Sequence, residues 1–197
     1  MKKRILHLDI ETAPHLAMVW GLFNENVPLD RIEKPGYTLC WAAKWHGNKR
    51  VLSARHTDEH CFTTLHALLC EADAVVTYNG KRFDVPTLNK EFLLRGMGPT
   101  REFIHLDMYQ AVRSRFRFAS NKLDFVAQQL GLGCKVKHKG FNLWRECMEG
   151  NPASWKLMVA YNKGDVVLLE SLFNALKGWL PGIYGFKMAC KKLGGFE

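Results

Sequence analysis

Apolar positions recur along this chain in two rhythms. Residues 4–10, RILHLDI, are rich in leucine and β-branched side chains and end in acids. That pattern predicts a buried strand delivering Asp9 and Glu11 at its C-terminal edge. Residues 37–45 (YTLCWAAKW) and 49–55 (KRVLSAR) predict two more strands, with Gly47-Asn48 as the turn of a hairpin. DAVVTY at 73–78 predicts a short strand ended by Asn79-Gly80, and 103–106 predicts a fifth. The second rhythm is helical. Asp58 is placed to cap a helix running to about Cys70, with Phe62, Leu65, Leu68 and Leu69 on one face. A helix from about Val85 to Arg95 follows, with Pro86 in its first turn and Gly96 beyond its end. Residues 121–131 and 141–149 read as helical. A long helix is predicted from about Pro152 to Trp179, its apolar face made of Met158, Val166, Leu169, Leu172, Phe173 and Leu176. Segment 13–35 reads as a loop, and the glycine-rich, basic segment after Pro181 carries no element assignment. Early strands, later helices and alternation between them predict one α/β domain with a mixed sheet.

Length and composition narrow this picture. The 197 residues suit one domain with a sizeable core, taken as 1–180, followed by a basic, Gly-rich tail at 181–197. An apolar content of 47% argues against disorder. No run approaches the roughly 18 apolar residues needed to span a membrane. The basic start, Met1-Lys2-Lys3-Arg4, lacks the longer apolar stretch of a secretory signal, and the six cysteines form no C-x-x-C pair. The expectation is a cytoplasmic protein with reduced, mostly buried thiols and no membrane partner. His56 and His60, and His66 and Cys70, are each one helical turn apart with Cys61 nearby, but this spacing fits no familiar zinc motif. The formal net charge is +9, and Arg101–Lys139 holds eight Lys/Arg against three acids. Such a local excess suits a track for phosphates, and a basic, well-solvated surface is the plainer alternative.

Candidate chemistry sits on the acids. Asp9 and Glu11 are two apart, so on a strand they share a face. Like charges so placed call for a cation between them, and a hard divalent ion with oxygen ligands is the usual answer. Taken alone, D-x-E also describes two solvated acids at a strand end. Tyr161 and Asp165 stand four apart on one helix face, and Gly164 suggests a close approach to the helix backbone there, although taken alone an ordinary amphipathic helix with one tolerated glycine describes the segment better. Asp84 follows Asn79 and Phe83 after a strand, where capping the next helix competes with ligation. Phe83 reads as core.

Taken together, LDIET (8–12), YNGKRFD (78–84) and YNKGD (161–165) resemble the three signature motifs of the DEDD superfamily of 3′→5′ exonucleases, which includes proofreading exonuclease domains and ribonuclease D-like enzymes. The last motif, with Ala160 where the other subclass has a histidine, resembles the Tyr subclass. NKLDFVAQQLG (121–131) resembles the helix that precedes the third motif, with Asp124 as its acid.

The resemblance implies a ribonuclease H-like fold, a central mixed sheet of about five strands flanked by helices. It implies two divalent cations, Mg²⁺ with Mn²⁺ as substitute, held by Asp9, Glu11, Asp84 and Asp165, with Tyr161 orienting the attacking water. The expected reaction is hydrolysis from the 3′ end of nucleic acid, DNA and single-stranded by preference, releasing nucleoside 5′-monophosphates. Asn79, Thr12, Arg113, Arg115, Arg117 and Lys122 are the expected substrate contacts, and Phe116, Phe118 or Trp144 could stack bases or fill the core. Any polymerase or other replication or repair partner would act in trans. An exoribonuclease of the same superfamily, or a non-catalytic nucleic-acid-binding module, stays open as an alternative.

Overall fold

The computed structural model describes residues 3–182 and 186–194. Its strands are β1 (Ile5–Thr12), β2 (Leu16–Ala17), β3 (Ile32–Lys34), β4 (Thr38–Trp45), β5 (Leu52–Arg55), β6 (Ala74–Thr77) and β7 (Ile104–Asp107). Its helices are α1 (Cys61–Glu71), α2 (Asp84–Leu94), α3 (Met108–Arg115), α4 (Leu123–Gln129), α5 (Asn142–Met148), α6 (Pro152–Leu176) and α7 (Lys187–Leu193). Five strands form one sheet in the order β5-β4-β1-β6-β7. β1 runs antiparallel to β4 and parallel to β6, so the sheet is mixed, as expected.

Strand β1 explains the layering. Its even positions, Leu6, Leu8 and Ile10, are buried with Leu65, Leu69, Leu88 and Phe92 of α1 and α2. Its odd positions meet α6: His7 packs on Phe173, and Asp9 accepts a hydrogen bond from Asn162. Each fully buried leucine contributes roughly 1.5–3 kcal/mol, which pins this register against β4. Helix α6 begins at a capped end, where the Asn151 side chain accepts the amides of Ala153 and Ser154 and Pro152 supplies the first turn. Its expected apolar face is buried throughout.

Three expectations change. Asp58 does not cap α1; its carboxylate accepts the Arg55 amide and closes the turn ahead of the helix, which starts at Cys61. Segment 13–35 is not loop throughout: β2 and β3 pair as a small antiparallel ribbon, too short to carry a periodic signal. Phe83 is not core but 45% exposed, because it precedes α2 on a solvent-facing turn. Helix α3 has no counterpart in the sequence reading, and its N-terminus is fixed by Asp107, whose side chain accepts the Tyr109 amide. After Pro181, α7 buries Cys190 and Leu193 in the same cluster as the C-terminal half of α6.

Among the described residues, no helix is long and apolar enough to cross a membrane. The zinc reading of His56, His60, His66, Cys61 and Cys70 finds no cluster there either. His66 instead contacts Cys70 and the Gly98 carbonyl, and His56 packs between Tyr37 and Trp155.

Candidate active site

Asp9, Glu11 and Asp165 converge where β1 crosses α6. Each offers a carboxylate oxygen, and these oxygens lie within 4.8 Å of one another. Asp84 comes from the first residue of α2 and reaches β1 from the other side, its Oδ1 accepting the Ile10 amide at 3.2 Å. It is buried, and its hydrogen bond to the β1 backbone replaces the helix-capping role open to it in sequence.

Electrostatics in this cluster are strained. Burial, then the neighbouring Glu11 and Asp165, push the Asp9 carboxyl well above its usual range. Burial and Asp165 push Glu11 up to about 7. Burial and then Asp9 raise the Asp84 carboxyl well above its usual range, against the hydrogen bond it accepts from the Ile10 amide. Asp165 is also raised by burial, with Lys135 working against the rise. Its Oδ1 is buried without a partner among the described residues. An oxygen-only donor set, mutually repelling carboxylates and one orphaned oxygen fit a hard divalent cation such as Mg²⁺ or Mn²⁺.

Two side chains satisfy this cluster that sequence reasoning did not single out. Asn162 donates from Nδ2 to Asp9 Oδ2 at 2.6 Å, one turn ahead of Asp165 on the same buried face. Its i−3 spacing to Asp165 was the signal available. Lys135, counted in the sequence only as part of a basic stretch, donates to Asp165 Oδ2 at 2.5 Å and to the Tyr161 hydroxyl at 3.0 Å. Burial opposes its charge, but Asp165 outweighs that and raises the ammonium's pKa. Gly164 shows how the Lys135 segment gets so close: a Cβ there would sit 3.2 Å from Val136 Cγ2.

An open cleft of about 720 Å³ adjoins the acids, lined by Asp9, Asn79, Lys122, Asp124, Lys135 and Tyr161 among others. Asn79 holds a left-handed backbone (φ 66°), and its amide and that of Lys81 are accepted by the two oxygens of Asp107. Asp107 thereby ties the 79–83 turn, and Asp84 after it, to the sheet. Asp124 accepts the Lys135 amide at 2.7 Å, fixing the base of the lysine segment. A second hollow of about 370 Å³ holds Thr12, His138, Phe141 and Trp144. His138 lines both, and Trp144 donates its indole N–H to Glu11 at 3.2 Å.

The other expected contacts are spread. Arg113 and Arg115 lie exposed on α3 and Arg117 just beyond it, and none lines the cleft. Phe116 and Phe118 pack against the core. Arg101 is bound to Asp73 and the Ala72 carbonyl, away from the acids.

No curated protein matches the sequence. Among solved structures, the family B DNA polymerase from the hyperthermophilic archaeon Pyrobaculum calidifontis superposes with a TM-score of 0.69 at 19% identity, over 91% of this chain and 25% of that one. The chain therefore spans about a quarter of that polymerase, and the likeness is one of fold. The family model described as RNase_H superfamily matches residues 6–177, from the start of the acid-bearing strand to the end of the acid-bearing helix. With its five-stranded mixed sheet and flanking helices, the chain belongs to the RNase_H superfamily.

Proposed function

We propose that the protein is a metal-dependent 3′→5′ exonuclease of the Tyr-type DEDD class, with residues 1–180 as its catalytic domain. The observation that carries the reading is the convergence of Asp9, Glu11 and Asp165 beside the Tyr161 hydroxyl at the edge of an open cleft. A protein that only binds nucleic acid gains nothing from carboxylates facing phosphates.

Asp9, Glu11, Asp84 and Asp165 would hold two divalent cations between them. When bound, such a pair stabilises the attacking and leaving oxygens of an in-line displacement and lowers the pKa of bound water. Everything else falls to the chain's own residues. Burial and then Asp165 push the Tyr161 phenol up to about 12, so it stays protonated and orients water as a hydroxyl rather than serving as a base. Lys135 donates to that phenol oxygen, and the phenol hydrogen-bonds the Asp165 carboxylate, which fixes the hydroxyl beside the acids. Asn162 holds the Asp9 carboxylate in place. Lys122 and Asn79 line the cleft, where they would meet a phosphate and a nucleotide edge, and Thr12 lines the second hollow beside Glu11. The substrate is the 3′ end of a single strand, DNA by preference, and a polymerase or repair partner would act in trans.

The test is a time course on 3′- and 5′-labelled DNA and RNA oligomers with Mg²⁺, Mn²⁺ or chelator. Nucleoside 5′-monophosphates should appear from the 3′ end, a 3′ block should stop digestion, and Asp9→Ala or Asp165→Ala should abolish it in a folded protein. Release from the 5′ end would reverse the polarity, and full activity in either variant would remove the mechanism.

A further inference from the structure

Beyond the nuclease reading, a second cluster occupies the next inward-facing position of β1. His7 Nε2 lies 3.2 Å from His46 Nδ1 and 4.0 Å from Glu170 Oε1, and His46 Nδ1 lies 3.4 Å from the same oxygen. The three residues come from β1, the turn after β4, and α6. We infer that His7, His46 and Glu170 form a metal site for one borderline divalent cation, Zn²⁺ above all, separate from the nuclease acids.

The first argument is geometric. Ligands at 2.0–2.1 Å from a tetrahedral zinc are separated by about 3.3 Å. Two of the three separations already match, and the third needs Glu170 to close on His7 by about 0.7 Å.

The second argument concerns protons. If His7 donates Nε2–H to His46, the lone pairs of His46 Nδ1 and Glu170 Oε1 face each other at 3.4 Å. If His46 Nδ1 carries the proton instead, His7 must hold its own on Nδ1, which is buried without a hydrogen-bond partner among the described residues. Metal binding accepts that same N–H cost but joins all three converging atoms.

The third argument sets the metal's class. Lys44 pairs with Glu170 through Oε2, the oxygen facing away from the histidines, and the Gly47 amide donates to Oε1 at 2.7 Å. One carboxylate already neutralised by an ammonium is a poor site for Mg²⁺ or Ca²⁺, which depend on oxygen ligands. Two imidazoles with one carboxylate suit zinc, and three protein ligands leave one position for water. Such an ion would clamp the turn after β4 and the start of β1 to α6, the helix that carries Asn162 and Asp165.

The experiment uses the full chain carrying Asp9→Asn, Asp84→Asn and Asp165→Asn, so that the nuclease site cannot hold metal. After stripping with chelator, the protein is titrated with Co²⁺ and Zn²⁺. The expected result is one equivalent bound, the visible absorption of four-coordinate cobalt, and a zinc-dependent rise in melting temperature. Adding His46→Gln or Glu170→Gln should weaken binding at least tenfold, and Lys44→Met should strengthen it by removing the neighbouring charge. Circular dichroism checks that each variant folds. No stoichiometric binding in the triple variant, or binding unchanged by both His46→Gln and Glu170→Gln, overturns the site. Either result leaves the nuclease reading standing, because the Asp9 cluster shares no ligand with this one.

Discussion

Replacing Lys135 by methionine isolates what its ammonium does for the acids. Lys135 Nζ sits 2.5 Å from Asp165 Oδ2, and the Asp165 side chain is only 2% exposed while that of Lys135 is 29%. A hydrogen bond between charged partners in this setting contributes about 1.5–3 kcal/mol, and methionine keeps most of the aliphatic packing. The expected loss without metal at pH 8 is about 2 kcal/mol, which for a chain of this size lowers the melting temperature by about 4–8 °C. The pH dependence has a definite sign. Burial already raises the Asp165 carboxyl, and losing Lys135 raises it further. A carboxyl raised in the folded state costs stability above its folded pKa and not below its unfolded one. The deficit is therefore largest at pH 8 and shrinks toward pH 5. Saturating Mg²⁺ should also shrink it, because a cation then faces Asp165 again. Thermal unfolding by circular dichroism at both pH values, with chelator and with Mg²⁺, provides the readout. Equal melting temperatures at pH 8 in chelator, or a deficit as large at pH 5, would refute the reasoning.

Tyr161→Phe should slow hydrolysis by about 10- to 100-fold, or 1.4–2.8 kcal/mol of barrier, with cation affinity unchanged in calorimetry; an unchanged rate would deny the hydroxyl a role. With Glu11 pushed to about 7 by burial and Asp165, its carboxyl binds a proton in competition with metal, so Mg²⁺ affinity should weaken about threefold between pH 7.5 and 6.5. Titration calorimetry at the two pH values would show this, and a flat profile would contradict it. Gly164→Ala gains about 1 kcal/mol of helix propensity but crowds Val136 Cγ2 at 3.2 Å, so stability should stay within about 1 kcal/mol of the parent, and a double-mutant cycle with Val136→Ala in denaturant should show coupling from relief of that crowding; additive effects would refute the contact.

Long periodic elements were readable in the sequence because one face of each is buried by design of the pattern. The alternation in RILHLDI placed Asp9 and Glu11 on one side of a strand, and the 3.6-residue stripe from Met158 to Leu176 set the face of α6. The hairpin at Gly47-Asn48 was written in its turn residues, and Gly47 does adopt φ 75°. What stayed hidden depends on contacts between distant segments. Lys135 lies 30 positions from Asp165 on a segment without secondary structure, so no local rhythm joins them. The half-buried glycine spacer that admits this segment was legible as an anomaly, but its partner Val136 was not. Helix α3 has a polar sequence, MYQAVRSR, with only Met108, Ala111 and Val112 buried, too few to announce a face. The cluster at His7 escaped for the same reason as Lys135: its members lie 39 and 124 or more positions apart.

Strand β1 is covered on both sides, with leucines and isoleucine toward one helix pair and His7, Asp9 and Glu11 toward α6. Such a strand tolerates change by substitution but not by insertion. A single residue added between positions 5 and 11 would drive carboxylates into the apolar layer and turn leucines toward the cleft. Only pairs of residues could be gained or lost there without inverting both faces, so natural length variation in this protein is expected to fall in the 13–35 segment and not in the strand before it.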